Sequence, residues 1–313
     1  MTPYSQLRTL LPRIDLTQAI PLPMPFSMFI EVTNVCNFKC TVCPQSFPNF
    51  GERSGYYKRM SAEVWTKVVS DLQRWPTPLK VLRFWGTGEP LLHPGLNDII
   101  IESQVLANRL ELTTNGSLLT YDWQKKLIYS GLHYLCVSVY GTTEAQYQEA
   151  TGDRAGLGFI LRRMAAFREA RDKSGRETPW ITARLTVANP DRDAFEQQWS
   201  SIADDLVIEP LHSWGQDFVQ LGTNLKTSKT VCPKPFTELV VHANGDVVAC
   251  CADWDGHLLC GNILAESLQD IWTGQKLKHI QELHLAGQRY ELVACKDCTL
   301  IYKQPDDLDS LLK

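Results

Sequence analysis

The sequence has no apolar run near the roughly 20 residues that a membrane-crossing helix needs. It also lacks any strong excess of charge: 31 Lys and Arg stand against 35 Asp and Glu, a net charge of -4. The first lack excludes a helical membrane span. The second removes a general electrostatic drive toward nucleic acid or an anionic membrane, so neither is expected as a partner. The opening residues lack the basic, apolar and small-residue blocks of a secretion signal, and Arg8, Pro12, Arg13 and Asp15 interrupt them. A cytoplasmic location with reduced thiols is therefore expected. Ten cysteines in 313 residues are too sparse for a disulfide scaffold. The balance of 44% hydrophobic and 21% charged residues is that of a folded globular chain. Its length predicts one large domain and one smaller one.

The spacing of the cysteines is more informative than their number. A short β-type run over residues 28–33 ends at Asn34, and a loop closed by Pro44 follows. That loop holds Cys36, Cys40 and Cys43 in the pattern C-x3-C-x2-C. Three thiolates on one loop can hold three corners of a cubane iron–sulfur cluster, leaving the fourth iron open to a small molecule. The plain alternative is structural zinc with a fourth ligand elsewhere, although zinc sites favour paired spacing. With this motif just after a first strand, the chain resembles the radical S-adenosylmethionine (SAM) superfamily. Val42 departs from the aromatic residue usual at that position.

An alternation of strands and helices follows. Ser61 is positioned to cap a helix ending near Pro76, and residues 81–85 form a strand running into Gly86-Thr87-Gly88-Glu89-Pro90. Further strands are expected over 110–114, 134–140, 180–188 and 206–208, with helices near 120–129 and 157–175 between them. The resemblance implies an α/β fold, a partial (β/α)6 barrel whose ligands sit at the carboxyl ends of the strands. It implies that Gly88 and Glu89 meet the amino group of the methionine moiety, with Thr87 in place of the usual first glycine. It also implies that Ser138 contacts the ribose, and that Arg184 holds the nucleotide carboxylate or a substrate hydroxyl. Asn115 is a ribose or substrate candidate, or simply part of an Asn-Gly turn. The alternative for Arg184, less favoured, is to pair an internal carboxylate, and Glu209 ends the sixth strand.

A second cysteine set lies downstream. Asn244-Gly245 marks a hairpin that brings Cys232 and Cys250 together, and Cys295 and Cys298 form a C-x2-C pair. By ligand count alone, four thiolates suit zinc as well as iron–sulfur. Behind a radical SAM barrel, the set resembles a SPASM/twitch domain with one auxiliary [4Fe-4S] cluster. The expected organisation is an arm over 1–25, the barrel over 26–212, a linker over 213–230 and the auxiliary-cluster domain over 231–313. Cys136, Cys251 and Cys260 remain. Cys136 reads as a small buried hydrophobe; Cys251 could pack or swap ligand roles with Cys250, and Cys251 or Cys260 could face the active site as a hydrogen-atom donor. Trp85, Trp214 and Trp254 are candidates to wall the pocket. The arm and the acidic tail from Asp306 carry no functional reading beyond packing and a frayed end.

The resemblance implies a SAM-binding [4Fe-4S] cluster, reductive cleavage of SAM to a 5′-deoxyadenosyl radical, and an electron donor of the flavodoxin or ferredoxin type. The favoured reaction is oxidation of a small hydroxylated substrate, a sugar or cyclitol, with the auxiliary cluster accepting the second electron. A thiol donor would instead give an epimerase, and peptide maturation is a further chemistry of the family. No leader-peptide-recognition domain is expected here. A non-catalytic metal scaffold would not need Glu89, Ser138 and Arg184 beside the first cluster.

Overall fold

The computed structural model describes residues 14–55, 57–209, 211 and 229–313. Trp214 and nearly all of the expected linker lie outside the described residues.

Six parallel strands form the first part of the sheet: β1 (Ser27–Ile30), β2 (Val81–Phe84), β3 (Leu110–Thr114), β4 (Tyr134–Val139), β5 (Trp180–Thr186) and β6 (Asp205–Glu209). The crossovers contain α1 (Ala62–Leu72), α2 (Leu96–Glu102), α3 (Tyr121–Tyr129), α4 (Glu144–Thr151), α5 (Leu157–Lys173) and α6 (Arg192–Trp199). Ser61 caps α1 by accepting from Val64 N, and Thr120 caps α3 by accepting from Trp123 N. Gly131 follows α3 with φ 81°, a left-handed conformation that favours glycine. Helix α4 carried no apolar stripe in the sequence; only Tyr147 and Thr151 of it are buried.

Side chains alternate across the strands. On one face, Ile30, Phe84, Leu112, Val137 and Leu185 join the apolar core with Val68, Ile100, Leu127, Phe167 and Trp199 from the helices. The other face, with Arg83, Glu111, Cys136, Ser138 and Arg184, lines a cavity.

The C-terminal part does not stand apart from this sheet. Strand β7 (Glu238–Val241) pairs in parallel with β1, from Ser27 opposite Glu238 to Ile30 opposite Val241. Strands β8 (Asp246–Val248) and β9 (Leu259–Asn262) continue antiparallel. The result is one open nine-stranded sheet in the order β6-β5-β4-β3-β2-β1-β7-β8-β9. The sequence showed the β7–β8 hairpin through Asn244-Gly245, where Gly245 has φ 90°. Its docking on β1 left no sequence signal. Two further helices, α7 (Leu268–Trp272) and α8 (Gln275–Leu285), pack beside it.

The expected frayed tail is corrected. Asp309 accepts from Thr230 N and Val231 N at 2.8–3.0 Å. Leu308 is fully buried in a small cluster with Leu16, Val231 and Phe236. The segment before β1 and the chain end therefore share one apolar seat.

Candidate active site and cluster sites

Strand β1 delivers the cysteine loop. Just past it, Thr33 Oγ1 donates to Lys58 O at 2.8 Å and Asn34 Oδ1 accepts from Lys58 N at 2.6 Å. The far side of the loop is pinned by Thr41 N donating to Ala150 O at 2.8 Å. The Cys36 sulfur accepts from Phe38 N at 3.4 Å, and Gln45 N donates to that of Cys43. Burial, with Glu89 nearby, pushes the Cys36 thiol up to about 11. Burial pushes Cys43 to about 12, and Cys40 rises through burial and the two neighbouring sulfurs. Thiols placed like this become thiolates when a bound cation compensates them.

The second loop, residues 86–90, lies against the first. Glu31 Oε1 accepts from Thr87 N and Thr87 Oγ1, both at 2.8 Å, so the threonine that replaces a glycine has a dedicated partner. Glu31 Oε2 is 2.9 Å from His242 Nδ1, and His242 Nε2 donates to Asp253 O at 3.1 Å. Burial works against both charges, but their attraction wins. His242 is held up at about 9 and Glu31 is held below the usual carboxylate range. Sequence reasoning missed this pair because its members are separated by 211 positions.

Gly88 is required by space. A Cβ there would lie 2.1 Å from Thr33 O and 2.8 Å from Val35 O, both backbone atoms. Glu89 is buried, and its carboxylate is engaged within the protein. Oε1 accepts from Thr114 Oγ1 at 2.7 Å and Leu91 N at 3.1 Å, and Oε2 from Asn115 N at 2.7 Å. Burial nevertheless raises its carboxyl to about 7. The Asn115 side chain joins the cysteine loop to the β3 tip: its amide donates to Asn37 Oδ1 at 3.0 Å, and its oxygen accepts from Ser117 N and Oγ. Both residues therefore tie the second loop and the β3 tip to the cysteine loop.

The polar face of the sheet encloses a cavity of about 390 Å³. Cys43 and Val42 reach it from the cluster loop, Gly86 from the second loop and Trp85 from just before it. Ser138 lines it and is hydrogen-bonded to Tyr140. Arg184 and Glu209 face each other across β5 and β6 at 3.7 Å, each about one-third exposed. Glu111 lies between two guanidiniums, 2.7 Å from Arg83 and 2.8 Å from Arg109. Neither arginine was singled out in the sequence, because a single charge within β2 or just before β3 resembles any solvated position.

The remaining cysteines separate. Cys251 lines the cavity beside Lys234, and Lys234 pairs with both Glu238 oxygens at 3.0 Å. Cys136 is buried, as the sequence suggested, and it also forms part of the cavity wall next to Arg184. Cys260 is corrected. It is buried in the apolar core, bonds Leu258 O at 3.4 Å and is absent from the cavity wall. Trp254 also lies elsewhere, stacked on Phe50 at 5.3 Å.

A second, small cavity is lined by Cys232, Cys250, Cys295 and Cys298 together. Lys234, Ala252 and Leu300 line both cavities and so form the partition between them. Three of the four sulfurs accept from the backbone N–H two residues on. Ala252 N donates to Cys250 and Leu300 N to Cys298, each at 3.4 Å, and Lys234 N donates to Cys232. His284 reaches the fourth sulfur, that of Cys295, at 3.7 Å.

Residues 30–178 match the radical SAM superfamily, and residues 232–299 match SPASM, an iron-sulfur cluster-binding domain. The chain carries a radical SAM domain followed by a SPASM domain. Among curated relatives, it is 26% identical over 160 residues to a tungsten-containing aldehyde ferredoxin oxidoreductase cofactor-modifying protein of Pyrococcus furiosus, covering 51% of this chain and 43% of that one. It is 34% identical over 167 residues to a probable GTP 3′,8-cyclase of Pyrobaculum aerophilum, covering 53% and 50%. The chain thus matches half or less of the length of these relatives. Among solved structures, BtrN in complex with AdoMet and 2-DOIA has a TM-score of 0.61 at 19% identity, covering 88% of this chain and 93% of that one. SuiB of Streptococcus suis bound to the precursor peptide SuiA has a TM-score of 0.59 at 16% identity, covering 95% and 78%. These structural likenesses bear on the fold.

A radical SAM domain uses a [4Fe-4S] cluster and SAM, and a SPASM domain binds auxiliary iron–sulfur clusters. The residues present fit such groups. Tetrahedral zinc, with Zn–S near 2.3 Å, would hold its sulfurs within about 4 Å of one another. Among the described residues, the only three-ligand set within 4.8 Å is Glu238, Cys250 and Cys251, which is neither predicted cysteine set. Both predicted sets are spread more widely than a single ion spans, and both carry the N–H···S bonds that tune a cluster.

Proposed function

We propose that this radical SAM protein oxidises a small hydroxylated substrate, a sugar or cyclitol, at a carbon bearing a hydroxyl group. The observation that carries this reading is the shared partition. The polar cavity touches the three-cysteine loop on one side and, through Lys234, Ala252 and Leu300, the four-cysteine site on the other. When bound, the cofactors supply a 5′-deoxyadenosyl radical from SAM and an acceptor for one electron at the auxiliary cluster.

The chain's residues supply the rest. Cys36, Cys40 and Cys43 hold the SAM-binding cluster, and Cys232, Cys250, Cys295 and Cys298 hold the auxiliary one. The backbone of the Gly86–Gly88 loop receives the amino group of SAM, since the Glu89 carboxylate is already engaged. Ser138 faces the ribose. Arg184 donates to a substrate hydroxyl, and Glu209, 3.7 Å away, takes its proton. The loss balances: one hydrogen atom leaves the carbon, one proton leaves the oxygen, one electron leaves the substrate, and a C=O bond forms.

The cavity volume lies at the low end of ligand sites, which favours a small molecule over a large one. Its wall of Arg83, Glu111, Ser138, Arg184 and Glu209 offers donors and acceptors to hydroxyls. An electron donor of the flavodoxin or ferredoxin type completes the system. A second reading, epimerisation, is favoured by one observation: Cys251 is at the cavity wall, where its thiol can return a hydrogen atom.

Two variants separate these readings. Anaerobic assays with cyclitols and sugars deuterated at the carbinol carbon should give a ketone and deuterated 5′-deoxyadenosine. Cys251→Ala should leave ketone formation in place. If the parent enzyme inverts the carbon and Cys251→Ala turns it into a net oxidase, the epimerase reading replaces the oxidase one. Glu209→Gln should slow ketone formation about 100-fold or more while SAM cleavage continues.

A further inference from the structure

His284 is fully buried on α8, far in sequence from the sheet that carries the active site. Its ring is fixed by two contacts. Cys232 N donates to Nδ1 at 3.3 Å, and Nε2 is 3.7 Å from Cys295 Sγ. Phe236 holds it edge-on at 6.5 Å between ring centres.

These contacts settle the tautomer. A backbone N–H can only donate, so Nδ1 is an acceptor and carries no proton. In a neutral ring the proton is then on Nε2, the nitrogen aimed at Cys295. A nitrogen bearing hydrogen cannot ligate iron, so His284 is a donor to the thiolate and leaves the four-cysteine ligand set intact. It also completes a pattern: the other three sulfurs accept from Lys234 N, Ala252 N and Leu300 N.

We propose that His284 is a positioning residue that donates Nε2–H to the Cys295 thiolate and thereby raises the reduction potential of the auxiliary cluster. The inference rests on the reading that Cys232, Cys250, Cys295 and Cys298 hold that cluster. The physical reason is charge. Reduction adds an electron to the cluster and its sulfurs, and a fixed N–H dipole pointing at a sulfur stabilises the added charge. Because the donor is a side chain, it can be removed without breaking the loop, unlike the three backbone donors.

The test uses the full chain carrying Cys36→Ala, Cys40→Ala and Cys43→Ala, so that only the auxiliary cluster remains. Iron content comes first. About four irons per chain agree with the four-cysteine reading, and none overturns both that reading and the inference. The midpoint potential is then followed by electron paramagnetic resonance during reductive titration. His284→Leu should shift it to lower potential at unchanged iron content, and His284→Gln, whose amide restores an N–H, should recover part of the shift. An unchanged potential in His284→Leu at full iron content overturns the inference. If neither variant takes up iron, the parent decides. With ¹⁵N-histidine, a weak coupling to one nitrogen supports a hydrogen bond. Strong coupling of a directly bound nitrogen overturns it, and so does the absence of coupling.

Discussion

The Glu31–His242 pair is the most consequential contact between single residues outside the ligand sets. It joins the Thr87 turn to the strand that leads to the auxiliary cysteines. The pH dependence follows from the two shifts. His242 is raised above its ordinary 6.5 to about 9, so its contribution is complete below about 6.5 and fades as pH rises through about 9. Glu31 is depressed below its ordinary 4.5, so its contribution is present above that value and fades as pH falls through its lower folded value. Anaerobic urea titrations should therefore show stability declining from about pH 6.5 to about 9. His242→Gln should flatten that decline. Removing one partner, as in His242→Ala, leaves a buried charge and should cost about 3 kcal/mol or more near neutral pH. A decline of the same size in His242→Gln would assign it to other groups.

Local residue patterns also mark the limit of what the sequence disclosed. The sequence singled out Cys36, Cys40, Cys43, Cys295 and Cys298 by short spacing and Cys232 and Cys250 by the hairpin between them; the last four do line one small cavity. Glu89 and Asn115 were singled out in the sequence, but their bonding was not legible there. Partners such as Thr114, Asn37 and Ser117 are common residues whose meaning appears only in space. Cys251 and Cys260 could not be ranked from sequence, since the face that each strand or turn presents decides between cavity and core.

Among the elements, the turn at Gly88 decides how closely the second loop meets the first. Gly88→Ala would place a methyl group within 2.1 Å of Thr33 O, so the loop must move. SAM affinity should fall about 10-fold or more even if the cluster still assembles, because small misplacements at a reacting site are costly. Equilibrium dialysis of the iron-loaded variant checks this, and unchanged affinity would show that the loop can yield. Helices α1 and α7 meet through Asp71, which is fully buried. Its Oδ2 accepts from Leu268 N at 2.9 Å, and Gln269 donates to its backbone carbonyl at 2.7 Å. Lys67 and Arg74 balance its charge at 2.7 and 3.3 Å. Asp71→Ala leaves the Leu268 N–H without its acceptor and should cost about 1–3 kcal/mol, read by urea denaturation. Hydrophobic spacing revealed the six parallel strands and helices α1, α3 and α5. It gave no bounds for α2, α4, α6, α7 or α8, nor for β9, whose Leu-Cys-Gly-Asn has no alternation.

At the scale of the whole molecule, the continuous sheet changes how the two parts depend on each other. Four residues of β7 pair with four of β1, the strand that feeds the cysteine loop. Removing residues 229–313 would open the edge of β1 and strip the cover from Phe29, which packs with Val240 and Val248. The truncated chain should aggregate or lose its first cluster. A monomeric fragment with four irons that cleaves SAM would show instead that the barrel stands alone. The sequence suggested two bodies because motifs cluster along the chain, whereas strand pairing between distant segments leaves no periodic trace.

The central claim is that three thiolates on the first loop hold a cluster with an iron open to SAM, while four others hold a second cluster across the cavity. The most direct measurement is iron and acid-labile sulfide per chain after anaerobic reconstitution, followed by 5′-deoxyadenosine formation on reduction with SAM. The account predicts about eight of each. It also predicts nucleoside production that Cys36→Ala abolishes and Cys298→Ala, which spares the first loop, retains. Stoichiometric zinc in place of iron, or SAM cleavage that survives Cys36→Ala, would contradict it.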